Sequence, residues 1–291
     1  MENHLAKYFA FVTTVETGSF TKAAVKLNYT QLAVSKMVAD LESDFGAPLL
    51  ERSRNGVQLT AFGNQVFPLT LKILGDYRAL QGYVEKIKGV QTGTVRIGTF
   101  ASVAIHWLPN IIAAFQKDYP GIKYELLLGN YNEIERWIET GRVDCGFLRL
   151  PAAPGLESIL LQKDEYLVAL PPNHPLSAGP AVAITQLENQ PFLLLEQSGK
   201  TEVSSLLAQY GVRPDVRFTT WEDFAILAMV EKGLGIGILP ALILKRSPYR
   251  VAVRPLQTPY YRQIGLAFKS KSLLSPAAKR FIEYLPFREK P

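Results

Sequence analysis

At 291 residues the chain is long enough for two domains, and its 47% hydrophobic and 20% charged residues exclude a disordered or fibrous protein. A formal net charge of +6 and a pI near 9.2 permit binding to nucleic acid but do not require it. No apolar run reaches the roughly 20 residues that span a bilayer. No signal peptide is recognisable, and the single cysteine excludes an intrachain disulfide, so a cytoplasmic protein without membrane contact is expected. The three histidines lack metal-ligand spacing, so neither a metal nor another cofactor is expected.

The amino-terminal part of the chain predicts three helices. Apolar residues recur at helical spacing over residues 5–15, 22–27 and 31–45. Gly18 and Gly46 follow the first and third of these segments, where glycine fits a helix end, and Thr30 is placed to cap the third. Two helices joined by a three- or four-residue turn are typical of a helix-turn-helix, in which the first residues of the second helix meet base edges.

A small β-hairpin is predicted directly after the third helix, over residues 51–60. Asn55-Gly56 is a strong two-residue turn pattern between short alternating segments. Arg52 and Arg54 project from this hairpin, and a basic wing beside a recognition helix reaches the phosphates that flank the major groove.

In this order, these segments resemble the LysR-type transcriptional regulators. The resemblance is carried by Ser19-Phe20-Thr21-Lys22-Ala23-Ala24, Gln31-Leu32-Ala33-Val34-Ser35-Lys36, Leu41-Glu42, Gly46-Ala47-Pro48-Leu49-Leu50-Glu51-Arg52 and Leu59-Thr60-Ala61-Phe62-Gly63. One position departs from the family pattern, since Leu32 stands where the family often has Pro or Ser. The departure concerns base preference rather than the fold.

The resemblance implies a set of DNA-facing residues: Thr30, Gln31, Leu32, Ser35 and Lys36, with Arg52 and Arg54 on the wing. By its chemistry Gln31 can pair with an adenine edge, Ser35 can donate or accept, and Lys36 can reach guanine or a phosphate. The alternative is that these are ordinary solvated residues of a three-helix bundle.

A linker helix is predicted after the wing, within residues 61–92. Apolar residues seven apart predict a helix that pairs with another helix, and Pro68 would begin or kink it. Packing against the chain's own second domain is the alternative; the resemblance implies an antiparallel pair in a homodimer or homotetramer. The two seams consist of Val66, Ile73, Leu80 and Ile87, and of Tyr77 and Val84.

From residue 93 onward, predicted strands and helices alternate, which favours an α/β effector domain after the winged helix-turn-helix of residues 1–60. The strands are predicted over 94–98, 122–128, 143–148, 165–170, 191–195 and 216–219, and the helices over 101–115, 134–139, 203–210 and 224–230. Family-like segments here imply two lobes resembling periplasmic binding proteins, 93–162 with 267–291 and 163–266. The Gly233–Gly237 stretch lacks the context of a phosphate loop and predicts close backbone packing.

Polar residues at strand ends predict an effector site, because free N–H groups and helix dipoles lie there. Arg149 could clamp a carboxylate, so a small anionic or polar metabolite is expected. In each case a purely structural role is the alternative: a cap for Ser102, a turn for Asn130 and a surface ion pair for Arg149. The candidate residues are Ala101, Ser102, Val103, Asn130, Arg149, Gln197, Ser198 and Thr219.

Together these features predict a DNA-binding transcriptional regulator that responds to a small molecule and whose partners are double-stranded DNA, the effector and RNA polymerase. A ligand-independent repressor or architectural protein is the alternative. No catalytic motif is recognisable, and a solute-binding protein would leave the wing unexplained. Cys145 is expected to be a small buried residue rather than a redox sensor, since no resolving cysteine exists.

Overall fold

The computed structural model describes residues 4–53, 56–86, 92–196, 202–245 and 247–289. It consists of a three-helix domain with a wing, a long linker helix and a two-lobed α/β domain, which is the predicted fold class. Within those ranges, no helix combines the length and apolarity needed to cross a bilayer.

The three predicted amino-terminal helices are confirmed as α1 (His4–Thr17), α2 (Phe20–Leu27) and α3 (Gln31–Phe45). The Thr30 side chain caps α3 by accepting a hydrogen bond from the backbone N–H of Ala33 (3.2 Å), and Gly46 ends the helix with φ +68°. The helices share one core that buries Phe11 and Leu41. This core fixes the angle at which α3 is presented.

The wing is formed by two antiparallel strands, β1 (Leu50–Ser53) and β2 (Gly56–Leu59). The predicted hairpin is therefore confirmed, although Arg54 and Asn55 at its turn lie outside the described residues. Glu42 on α3 accepts hydrogen bonds from the backbone N–H groups of Leu49 (2.8 Å) and Leu50 (3.0 Å), which ties the wing to the recognition helix. Gly63 packs on the Leu49 carbonyl so closely that any Cβ would clash. Glu42 and Gly63 of the family-like segments thus have structural roles here.

The linker helix is α4 (Ala61–Lys86). Pro68 lies inside it, so the expectation that this proline begins the helix is wrong. Leu74 is buried against the amino-terminal domain, whereas Ile73 and Leu80 of the predicted seam are 44% and 60% exposed. Ile87 lies outside the described residues. Val66 and Tyr77 pack on the amino-terminal domain, so only Ile73 and Leu80 of the described seam are uncovered within the chain.

The α/β domain is built from nine strands and seven helices within the described ranges. The strands are β3 (Gly93–Thr99), β4 (Ile122–Leu128), β5 (Cys145–Leu150), β6 (Glu157–Leu170), β7 (Pro191–Leu195), β8 (Asp215–Thr220), β9 (Ile236–Pro240), β10 (Ala252–Pro255) and β11 (Tyr261–Phe268). The helices are α5 (Ala101–His106), α6 (Leu108–Asp118), α7 (Tyr131–Glu139), α8 (Glu202–Gln209), α9 (Asp223–Glu231), α10 (Ala241–Leu244) and α11 (Pro276–Glu283). Short 3-10 turns lie at 175–178, 184–187 and 285–289.

The two lobes share the long strand β6. Parallel strands β4, β3 and β5 form lobe I with antiparallel β11, and parallel β8, β7 and β9 form lobe II with β10. The first part of β6 pairs with β11 and the last part with β9 and β10. Because β11 pairs with lobe I strand β5 from Gln263 onward, the second crossover precedes Gln263 rather than following residue 266 as predicted.

Some helices and strands of this domain differ from those predicted. The helix predicted over 101–115 is broken at Trp107, because Pro109 at the start of α6 lacks an N–H for a continuous helix. Strands β10 and β11 and helix α11 were not predicted.

Gly235 lies where a Cβ would be 2.9 Å from the Pro191 carbonyl, which confirms close backbone packing. Cys145 is fully buried and burial raises the pKa of its thiol, which disfavours a redox role.

Candidate nucleic-acid face and effector cleft

The amino-terminal turns of α3 present a polar outer face. Gln31 and Ser35 lie one turn apart, as do Leu32 and Lys36, and Ser35 alone of these is half-buried. Leu32 is 81% exposed, so its apolar side chain is available on this face. The Gln31 side chain is oriented by Thr21, whose hydroxyl donates to Gln31 Oε1 at 3.1 Å. Because Val34 and Val38 fill the core on the opposite face, the outer residues are not needed to pack the core.

Basic groups surround this face. Lys22 and Lys36 are exposed and form no ion pair within the described part of the chain. Arg52 pairs through its backbone with Val57 across the wing, and Arg54 lies outside the described residues. Unpaired lysines beside an exposed helix face are suited to phosphate contacts.

A cavity of about 240 Å³ lies between the two lobes of the effector domain. Lobe I contributes the end of β3, the loop before α7 and the outer end of β5, and lobe II contributes the segments around β7, α8 and α9. Its lining consists of Phe100, Ala101, Gly129, Asn130, Tyr131, Asn132, Arg149, Tyr166, Leu195, Glu196, Glu202, Val203, Trp221, Glu222, Asp223 and Arg262.

Arg262 on β11 is the buried centre of this cleft. Its guanidinium binds Asp164 of β6, with N–O distances of 2.7 and 2.9 Å, and donates to the hydroxyls of Tyr131 (3.0 Å) and Ser102 (3.1 Å). Asp164 also accepts the backbone N–H of Leu242 at 3.0 Å. Burial opposes the charge on Arg262, but Tyr131, the nearby Tyr166 and Asp164 outweigh it and raise the pKa of the guanidinium. Arg262 therefore remains charged, with its donors largely used inside the protein.

The second arginine of the cleft bridges the lobes. Arg149 at the end of β5 lies 3.3 Å from Glu202 of α8, measured from Nη1 to Oε1, and its guanidinium is 6.0 Å from the centroid of the Tyr131 ring. Arg149 thus lines the cleft, as predicted from the sequence. It also forms an ion pair, which was the structural alternative for this residue. Glu202 is largely buried, so this pair is only partly screened by solvent.

Three further carboxylates line the lobe II wall: Glu196 after β7, and Glu222 and Asp223 at the start of α9. The pKa of Asp223 is raised to about 6, mainly by burial; Arg262 opposes the shift, and Glu222 and Asp164 add to it. None of the three forms an ion pair within the ranges that the structure describes. The lobe II wall is therefore acidic.

Two regions of the chain match families defined on other sequences. Residues 5–64 match the family described as bacterial regulatory helix-turn-helix protein, lysR family, and residues 88–286 match the LysR substrate binding domain. The chain belongs to the LysR family of transcriptional regulators. It is a DNA-binding regulator with an effector domain, and not an enzyme.

Individual relatives agree with this assignment. The HTH-type regulator YvbU of Bacillus subtilis (strain 168) is 33% identical over 276 residues, covering 94% of each chain. A full-length OxyR variant from Pseudomonas aeruginosa has TM-score 0.73 at 21% identity and covers 98% of this chain and 97% of that one. Full-length CbnR complexed with target DNA has TM-score 0.58 at 24% identity, with 100% of both chains covered. The two solved structures show that the fold is shared.

Only some of the effector residues predicted for this LysR-type regulator line the cleft. Ala101, Asn130 and Arg149 line the cleft, and Ser102 lies beneath it, bound to Arg262. Val103 points into the lobe I core, because its position on α5 turns it away from Ala101. Thr219 is exposed on β8, since that strand continues to Thr220 and the cleft is reached only at Trp221. Gln197 and Ser198 lie outside the described residues.

Sequence reasoning missed Arg262, Tyr166 and the acidic residues of lobe II. A lone arginine two residues before the apolar run Ile264–Phe268 could have indicated a buried charge with a partner. Only Trp221 separates Glu222 and Asp223 from the end of β8, so the strand-end rule that selected Asn130 could also have found them.

Helix α7 connects the cleft with the DNA-binding end of the regulator. Its cap Asn130 lines the cavity, and just beyond its other end Gly141 packs on Gly75 of the linker helix. A Cβ on Gly75 would lie 2.8 Å from the Thr140 carbonyl oxygen and 2.9 Å from Gly141 Cα. The next residue, Arg142, forms an ion pair with Glu16 of α1 at 3.1 Å. The cleft and the amino-terminal domain are thus separated by one short helix and its contacts.

Proposed function

We propose that this regulator binds a pseudo-palindromic operator through Thr30, Gln31, Leu32, Ser35 and Lys36, with Arg52 and Arg54 of the wing on the flanking phosphates, and that a small molecule in the interlobe cleft alters this binding. The proposal includes action in the cytoplasm and contact with RNA polymerase on the bound DNA. Its main support is the outer face of α3, whose exposed side chains are not needed for the core.

The exposed seam on α4 supports assembly into a homodimer or homotetramer. Ile73 and Leu80 are seven residues apart and face solvent within one chain, and a second copy would cover them. A two-fold dimer places two recognition helices in successive major grooves, which requires an operator with matching symmetry. The solved complex of CbnR with its target DNA supports double-stranded DNA as the partner.

Selection of operators from a random duplex library tests the DNA-binding part. The purified full chain should enrich a pseudo-palindrome, and the triple variant Gln31→Ala, Ser35→Ala, Lys36→Ala should lose sequence preference while retaining its thermal unfolding midpoint. Each lost base contact is worth about 1–3 kcal/mol. Lys232→Ala, which changes an exposed lysine of the effector domain, is the matched control and should select the same sequence. Selection of the same sequence by the triple variant would contradict the assignment.

Effector dependence separates the proposal from a ligand-independent repressor or architectural protein. Footprints on the selected operator should change when a metabolite mixture is added, because a cleft ligand acts through its different affinity for two arrangements of the protein. A footprint that is identical with and without the mixture would favour the ligand-independent alternative.

A further inference from the structure

We propose, on the basis of the effector role proposed above, that the cleft selects a small organic cation, an amine or guanidine with about ten non-hydrogen atoms. From the sequence, Arg149 alone suggested an anionic ligand. The ligand proposed here has the opposite charge. The observation behind it is the charge balance of the lining, in which four carboxylates face two guanidinium groups within the described residues.

Both guanidinium groups already have partners. Arg262 is neutralised by Asp164 beneath the cleft, and Tyr131 and Ser102 take further donors. Arg149 is paired with Glu202 across the cleft at 3.3 Å. An entering anion would therefore have to compete with Asp164 and Glu202 for the two guanidinium groups.

The carboxylates of Glu196, Glu222 and Asp223 form no ion pair in the described residues, and all three lie on the same wall. Arg262 is near enough to Asp223 to oppose the rise in its pKa but is bound to Asp164. A partly buried charge that lacks a partner costs free energy, which an entering opposite charge offsets. The raised pKa of Asp223 is a consequence of that cost. The adjacent residues 197–201 lie outside the described ranges.

The helix dipole does not reverse this preference. The amino-terminal end of α9 would by itself favour an anion. Glu222 and Asp223 occupy that end, however, and two fixed carboxylates already satisfy the dipole there. A ligand that approaches the start of α9 therefore meets negative charge first.

The remaining lining fits an organic cation rather than a hydrated metal ion. Aromatic faces attract ammonium and guanidinium groups. The Phe100 and Tyr131 rings already face Arg262 (5.1 Å) and Arg149 (6.0 Å), which leaves Tyr166 and Trp221 as the aromatic rings for a ligand cation. A cavity near 150 Å³ can hold benzene, so a volume of about 240 Å³ accommodates roughly ten non-hydrogen atoms.

Thermal shift measurements on the full chain test the charge class directly. A deproteinised bacterial extract is divided at pH 7.5 into cation-exchange-retained, anion-exchange-retained and unretained pools. Agmatine and phenethylamine serve as pure cationic probes, with glutarate and phenylacetate as anionic probes of similar size. The cation pool and the cationic probes should raise the unfolding midpoint, and the other pools and probes should not.

Variants locate the effect in the cleft. Asp223→Asn and Glu222→Gln should each weaken binding of the stabilising cation on the order of tenfold, as for loss of a charged hydrogen-bond partner. Asp215→Asn, which changes an exposed carboxylate of the same lobe outside the cleft, should leave the affinity unchanged. Having two cleft variants keeps the test informative if one of them fails to fold.

The possible results have distinct meanings. Stabilisation by the anion pool or the unretained pool would overturn the cationic class while leaving an effector-responsive regulator. Stabilisation by no pool and no probe would overturn both the cationic class and the effector part of the proposed function. Stabilisation by cations that persists in both cleft variants would place the binding elsewhere and overturn the inference.

Discussion

The DNA-binding face and the effector cleft are constructed in opposite ways. The candidate DNA contacts on α3 lie within residues 30–36, on one capped helix, and most of their side chains are exposed. The cleft is lined by side chains from distant positions between residue 100 and residue 262. They surround the buried ion pair of Arg262 with Asp164. Side chains on the DNA-binding face should therefore be replaceable without loss of stability. In the effector cleft, ligand binding and stability should be linked.

Replacement of Arg262 with Met should give the largest effect. The variant leaves Asp164 buried without its cation, and breaking a buried pair in this way costs about 3–5 kcal/mol. Urea unfolding followed by circular dichroism would measure the loss. Adding Asp164→Leu should recover part of it, because the unpaired charge is removed.

Lys36 on the DNA-binding face offers a matched substitution of one basic residue. Lys36→Met should stay within about 0.5 kcal/mol of the parent chain, since Lys36 is exposed and has no ion pair within the described residues. Equal losses from Arg262→Met and Lys36→Met would show that the two regions do not differ as described.

Replacement of Asp223 with Asn should stabilise the ligand-free protein in a pH-dependent way. The pKa of Asp223 is raised by burial from 3.8 to about 6, with Glu222 and Asp164 adding to the shift and Arg262 opposing it. The folded protein therefore holds this proton more tightly than the unfolded chain, and the cost of ionisation develops between about pH 4 and pH 6. Above pH 6 the variant should gain up to about 3 kcal/mol.

Thermal midpoints at pH 7.5 and pH 4 would check this prediction. Asp223→Asn should melt higher than the parent at pH 7.5 and nearly with it at pH 4. Asp215→Asn, at an exposed carboxylate paired with Arg217, should show no such difference. A gain that is the same at both pH values would exclude titration of Asp223 as its cause.

The contrast between the regions also explains what the sequence could predict. Thr30, Gly46 and Asn55-Gly56 are local patterns, and local patterns are sufficient for a helix-turn-helix with a wing. Asn130 was predicted for the same reason, since it caps the helix that directly follows a strand. Arg262 and Asp164 are 98 residues apart, and no periodicity connects them. Their pairing depends on the register of β6 against β11, which only tertiary structure determines.

The two regions meet where Gly75 of α4 packs on Gly141, and Gly75→Ala should disturb that contact. The new methyl group would lie 2.8 Å from the Thr140 carbonyl oxygen, which forces the linker helix away from lobe I. We expect a loss of about 1–3 kcal/mol, reduced by the higher helix propensity of alanine. Operator affinity measured with and without the stabilising cation should show a smaller effector response.

Gly179→Ala is the matched control for this contact. Its added Cβ would lie 3.5 Å from the Ala181 carbonyl oxygen, an ordinary contact far from the linker. It should leave both stability and the effector response unchanged. An unchanged response in Gly75→Ala would mean that communication between the regions does not pass through this glycine pair.

The smallest expected effect concerns Leu32, whose apolar side chain is 81% exposed on the DNA-binding face. Apolar side chains in the major groove contact the thymine methyl group, and burial of one methyl-sized group is worth about 0.8 kcal/mol. Replacing single thymines of the selected operator with uracil should therefore weaken the parent chain about fourfold at one position of each half-site. Leu32→Ala should bind the thymine and uracil duplexes equally, while Leu273→Ala, at an exposed leucine of the effector domain, should retain the difference. If Leu32→Ala still prefers thymine to the full extent, then Leu32 does not read that methyl group, and sequence recognition on α3 rests with its polar residues alone.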